Sequence, residues 1–190
     1  MFFHSGTCVS TCPSSTLADP TTLTCITTTC PSNPAYFAEG VNCVSQCSSG
    51  LFANTATRTC DASCTGTTYA DSSTKRCVAV CPTTPSLFSQ DSPNICVSSC
   101  QSGWFSDNST RKCVQFCNTT VGYYAYTPLR LCVLVCPGVY YNNPGDNTCV
   151  TACPNVTTQW FQDNTTKSCV LNCPDYYFKH ITLGQCVQTC

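Results

Sequence analysis

Trp104-Phe105-Ser106-Asp107-Asn108-Ser109-Thr110-Arg111-Lys112-Cys113-Val114 is the stretch that decides the fold. An apolar start, a polar turn and a β-branched finish form the order of a short β-hairpin. Trp160-Phe161, Gln162-Asp163-Asn164-Thr165 and Lys167-Ser168-Cys169-Val170 repeat it. No segment carries an extended 3.6-residue apolar period, so almost no helix is expected.

Working outward, the cysteines come in eleven pairs: 8/12, 25/30, 43/47, 60/64, 77/81, 96/100, 113/117, 132/136, 149/153, 169/173 and 186/190. All are C-x3-C except Cys25/Cys30, which has one extra residue. Eight residues before the first cysteine of each of the last eight pairs stands an aromatic, from Phe52 and Tyr69 to Phe161 and Phe178. Val follows the first cysteine in nine pairs, with Ile26 and Asp61 as the exceptions. Pro often follows the second cysteine, as at Pro13, Pro82 and Pro174.

Insertions fall only between the second cysteine and the next aromatic, as expected of a surface loop beside a rigid unit. The first three pairs are less regular. Leu17 replaces the aromatic before Cys25, Tyr36-Phe37 are displaced before Cys43, and Phe2-Phe3 stand where a shortened hairpin would start. Residues 1–190 therefore read as one array of tandem cysteine-rich repeats of about 17–20 residues, with a double-module period of about 36 and no separate domain. The expected fold is a small disulfide-rich all-β repeat, with short hairpin modules stacked into an elongated rod of order 100 Å.

Composition sets the environment. Twenty-two cysteines in 190 residues, with only 9 % charged residues, read as a disulfide scaffold made in an oxidising compartment, extracellular or at the cell surface. A net charge of −1 gives no pull toward nucleic acid or an anionic membrane. The longest apolar stretch, around Leu131 to Val135, is far below the ~20 residues of a spanning helix, so no direct membrane insertion is expected. Met1 to Thr7 lack the basic region and apolar core of a signal peptide, and the reading takes the chain as a segment of something longer.

Modules this small need staples. The simplest scheme joins the second cysteine of one pair to the first of the next: Cys12–Cys25, Cys30–Cys43, Cys47–Cys60, Cys64–Cys77, Cys81–Cys96, Cys100–Cys113, Cys117–Cys132, Cys136–Cys149, Cys153–Cys169 and Cys173–Cys186. It leaves Cys8 and Cys190 over. Crossed 1–3 and 2–4 links between neighbouring pairs, or bonds within a pair, remain open, because spacing alone does not fix connectivity.

Cys77-Val78-Ala79-Val80-Cys81-Pro82 and Cys132-Val133-Leu134-Val135-Cys136-Pro137, with Tyr69-Ala70-Asp71 ahead of Cys77, resemble furin-like, growth-factor-receptor-type cysteine-rich repeats. The pattern is also similar to repetitive cysteine-rich surface proteins of single-celled eukaryotes such as ciliates. The resemblance covers essentially the whole chain and implies a rod of disulfide-closed hairpins, with no ligand transferred. The C-x2-C pairs that punctuate furin-like repeats are absent here.

No catalytic, cofactor or metal site is expected. His4 and His180 fall in hairpin turn regions, and Asp71, Asp107 and Asp163 hold like turn positions where Asp stabilises backbone locally. Packed aromatics and Val argue for bridges over zinc. Asn108, Asn118, Asn155 and Asn164 head N-x-[ST] sequons and are the expected glycan acceptors. The sequons at Asn94 and Asn147 end in cysteine and are weaker.

The function expected is non-catalytic: a glycosylated rod or filament building block of a coat, fibre or appendage. Its partners would be N-linked glycans and further repeats, through end-to-end self-association or in the same polypeptide. A ligand-binding or adhesion receptor ectodomain is the alternative, with Tyr123-Tyr124-Ala125-Tyr126 as its candidate surface. A protease inhibitor is a third reading, and the loops share no basic residue to serve it.

Overall fold

A computed structural model describes residues 1–155 and 158–189. Cys190 and the last two positions of the Asn155 sequon lie outside the described residues. The described residues form 22 strands of three residues each and no helix. They divide into two compact units, Met1–Ser98 and Ser99–Cys190.

The first unit holds β1 (Phe2–His4), β2 (Thr7–Val9), β3 (Leu17–Asp19), β4 (Thr24–Ile26), β5 (Phe37–Glu39), β6 (Asn42–Val44), β7 (Phe52–Asn54), β8 (Thr59–Asp61), β9 (Tyr69–Asp71), β10 (Arg76–Val78), β11 (Phe88–Gln90) and β12 (Ile95–Val97). The second holds β13 (Phe105–Asp107), β14 (Lys112–Val114), β15 (Tyr124–Tyr126), β16 (Leu131–Val133), β17 (Tyr141–Asn143), β18 (Thr148–Val150), β19 (Phe161–Asp163), β20 (Ser168–Val170), β21 (Phe178–His180) and β22 (Gln185–Val187).

Each odd strand pairs antiparallel with the next even one, closing a hairpin. Inside each unit the first strand of one hairpin also pairs, in parallel, with the second strand of the following hairpin, as in β3–β6 and β15–β18. The parallel contact is one residue deep: Ala38 faces Thr59, and Ala125 faces Thr148.

Register explains the sequence pattern. The aromatic eight residues before the cysteine faces the Val after it, as Phe105↔Val114 and Tyr141↔Val150. The residue between strand ends faces the cysteine itself: Ala53↔Cys60, Ala70↔Cys77, Ser106↔Cys113, Ala125↔Cys132. Alternate residues point to opposite faces of a strand, so each hairpin has an aromatic–Val face and a bridge face. The residue opposite the cysteine is small in these modules, whereas Asn142, Gln162 and Lys179 face Cys149, Cys169 and Cys186.

Ten bridges join the second cysteine of one pair to the first of the next, from Cys12–Cys25 to Cys173–Cys186, with partners 13 to 16 positions apart in sequence and Cα atoms 5.5 to 5.6 Å apart. Cys8 is a free, exposed thiol.

Two of the three irregular early modules have a simple cause, while the third, with Leu17 facing Ile26, keeps the ordinary turn length. Most hairpins turn through four residues, as Asn108 to Arg111 between Asp107 and Lys112. The hairpins at Ser5-Gly6 and Gly40-Val41 turn through two, with positive φ at Ser5, Gly6 and Gly40, as primed two-residue turns require. Removing two residues moves the aromatic from eight to six places before the cysteine. Phe37 is therefore the true counterpart of Phe52, not a displaced residue, and faces Val44. Phe2 faces Val9 in the same way.

Candidate functional site

Two constructions recur along the chain, a carboxylate-centred turn and a joint between modules. The turn is built by Asp19, Asp71, Asp107 and Asp163, each ending the first strand of its hairpin. In Asp107, Oδ1 accepts the Ser109 N–H at 2.8 Å and the Ser109 hydroxyl at 2.7 Å, and Oδ2 accepts the Thr110 hydroxyl at 2.8 Å. Asp71 and Asp163 repeat this with Ser73 and Thr74, and with Thr165 and Thr166. Asn54 and Asn143 take the same place and accept turn N–H groups at Oδ1. These side chains are buried, yet their oxygens are spent on local donors rather than aimed at a substrate.

Burial alone would raise these carboxyl pKa values. Side-chain and backbone hydrogen bonds from the next two or three residues outweigh it and hold all four below the usual carboxylate value. A depressed folded pKa stabilises above the unfolded value, about 4, and that stability is lost as pH falls through the folded value. Melting followed residue by residue in NMR should therefore show the Asp71 turn weakening below about pH 4. Asp71→Asn should keep the turn, as Asn54 does, and flatten its pH response. An unchanged acid response in that variant would refute the assignment.

The joint centres on the residue two places before the first cysteine. Its carbonyl accepts the mid-strand N–H of the preceding module: Ala38 N to Arg58 O at 2.8 Å, Ala125 N to Asn147 O at 2.8 Å, Asn142 N to Lys167 O at 2.7 Å. Arg58, Arg130, Asn147 and Lys167 all have positive φ there, a conformation costly for a side-chain-bearing residue. Several of their side chains also reach back. Arg130 Nη1 donates to Cys100 O at 2.6 Å, Lys167 Nζ to Gly138 O at 3.1 Å, Asn94 Nδ2 to Gly66 O at 3.1 Å, and Arg58 Nη2 to Pro31 O.

Apolar packing completes the joint. The aromatic–Val face of one module covers the bridge face of the next. Phe37 packs with Cys47, Ala53 and Cys60, Phe52 with Cys64, Ala70 and Cys77, and Phe105 with Val114 on Cys117, Ala125 and Cys132. Cations cap several rings, with Arg58 4.9 Å and Arg76 5.8 Å from the centroid of Phe37, and Lys167 5.1 Å from that of Tyr141. The Tyr69 hydroxyl donates to Asp91 at 2.9 Å, and the Tyr141 hydroxyl donates to Asn164 Oδ1.

The remaining sequence candidates fall outside any shared cleft. His4 and His180 end their strands beside the turns, and His180 Nδ1 accepts the Leu183 N–H at 3.3 Å. Asn108, Asn118, Asn155 and Asn164 are exposed. Tyr123 packs in the Cys117–Cys132 cluster, and Tyr126 meets Tyr140 edge-on at 5.1 Å, so the tyrosine run is tied into the module it adjoins. Glu39 lies within 4.8 Å of Cys47 and Cys60, whose sulfurs are bonded to each other and are not thiolates. No helix among the described residues is long and apolar enough to cross a membrane.

Sequence reasoning missed the joint residue, because Leu, Val, Arg, Asn, Lys and Gly all fill it and only backbone atoms are common to them. The small residue between aromatic and Asp in Tyr69-Ala70-Asp71 and Phe105-Ser106-Asp107 was a legible mark that it did not use.

The fold and its joints define a disulfide-stapled, all-β repeat protein of the extracellular structural or receptor-like kind, formed in an oxidising environment. No family model matches the chain, and no match was found among curated proteins or solved structures.

Proposed function

We propose that this chain is a non-catalytic, N-glycosylated building block of an extracellular coat, fibre or appendage, in which modules stack into a rod. The observation that carries this reading is the uniform joint, used at successive modules within each unit. Each module has two unlike faces that fit one another, so its natural partner is another module of the same kind, further along the polypeptide or in a second copy. Head-to-tail contact of unlike faces extends without closing unless a rotation makes a ring. The furin-like resemblance belongs to the same reading. The run that a receptor ectodomain would present as its surface, Tyr123–Tyr126, is engaged in packing through Tyr123 and Tyr126.

One preparation of the secreted chain tests both halves of the proposal. N-glycosidase mapping is expected to find sugar on Asn108, Asn118, Asn155 and Asn164, and small-angle scattering to report a particle of order 100 Å in length. A compact, near-spherical particle would refute the rod. Four bare asparagines would refute the glycoprotein.

A further inference from the structure

One position in the C-x3-C linkers breaks their chemistry. Phe116, just before Cys117, is an aromatic 85 % exposed. The same linker place is held by Gln46, Ser63, Val80, Ser99, Val135 and Ala152 in other modules. Phe116 lines a groove of about 500 Å³ together with Phe105, Cys117, Thr119, Ala125 and the polar run Asp146, Asn147 and Thr148.

The sequon Asn118-Thr119-Thr120 begins two residues after this ring. Asn118 Oδ1 accepts the Thr120 N–H at 3.0 Å and the Thr120 hydroxyl at 2.6 Å. Both bonds are taken at oxygen, so the amide nitrogen, to which a glycan attaches, is not the atom holding the turn. Asn108, Asn155 and Asn164 have Ser106, Cys153 and Gln162 two places before them. Asn118 alone of the four pairs an aromatic with an acceptor in this register.

We propose that the first N-acetylglucosamine of a glycan on Asn118 stacks on Phe116 and lies in this groove. The inference rests on the glycosylation proposed above. A pyranose fits such a site because it has two surfaces. Its axial C–H groups form an apolar face that meets the electron-rich face of an aromatic ring, and its hydroxyl and acetamido edge suits a polar rim. The sugar thus covers the exposed ring and ties the linker after Cys113 to the module closed by Cys117–Cys132.

The experiment compares secreted chain carrying only the Asn118 glycan in three forms: intact, trimmed by an endoglycosidase to a single N-acetylglucosamine, and fully deglycosylated. The single sugar is expected to keep a Tm gain of about 2 °C or more over the bare chain. NMR should show its ring protons shifted upfield, with cross-relaxation to Phe116. Phe116→Ala should abolish both, and Phe116→Leu should abolish the upfield shift while keeping an apolar groove lining. A glycan present on Asn118 with no upfield shift in the wild type, and with the same Tm gain in Phe116→Ala, would overturn the stacking and leave the glycosylation intact. A bare Asn118 in secreted material would overturn the acceptor assignment itself, and the stacking with it.

Discussion

Phe37→Ala should cost about 3–5 kcal/mol, among the largest effects of any single substitution in the chain. The ring is 0 % exposed and is the largest fully buried side chain. It fills the joint against Cys47, Ala53 and Cys60 and lies under two guanidinium groups. Truncation leaves a cavity that the rigid disulfide on the facing module cannot relax to fill. It also removes the ring beneath Arg58 and Arg76. The measurement is hydrogen exchange at the Ala38 N–H, which bonds Arg58 O across the joint, with Phe178→Ala as comparison. Phe178 is 55 % exposed and should cost much less. Equal costs at the two positions would show that burial in the joint is not what the aromatic contributes.

Replacing both Cys117 and Cys132 by Ser should cost about 3 kcal/mol from the lost loop constraint alone, a loop of 15 residues. The cost should exceed that figure, because the bridge is also the surface on which Phe105 and Val114 pack. Two hydroxyls would then replace sulfur on an apolar face without partners, which adds a desolvation penalty. Limited proteolysis of the double-serine variant should open the segment between residues 117 and 132 first and spare the module closed by Cys136–Cys149. Cleavage spread evenly over the chain would mean that modules do not carry their stability locally.

The hairpin periodicity was legible in the sequence because each of its marks has one physical job. The aromatic and the Val are cross-strand partners, as Phe161 and Val170 show. The turn aspartates were legible for the same reason, since Asp107-Asn108-Ser109-Thr110 places two hydroxyls and an N–H within reach of one carboxylate. Phe37 was misplaced because counting back from Cys43 assumes a fixed turn length, and the Gly40-Val41 turn is two residues shorter. The joint was hidden for a different reason. Its essential bond runs from backbone to backbone, Asn142 N to Lys167 O, and such a bond leaves no residue type behind. The pairing of faces likewise connects residues some twenty positions apart, as Ala125 and Thr148, which local pattern does not relate.

The bridges have a mechanical meaning as well. A pulling force along the chain does not travel through the hairpins. At each disulfide it crosses a gap of 5.5 to 5.6 Å between Cα atoms and bypasses a backbone segment spanning 13 to 16 sequence positions. Only the short linkers inside the cysteine pairs remain in the load path. The oxidised chain between Cys12 and Cys186 is therefore roughly threefold shorter at full stretch than the reduced one. The ten hairpins that a bridge closes would stay shielded from tension, and their slack would be released only by a reductant.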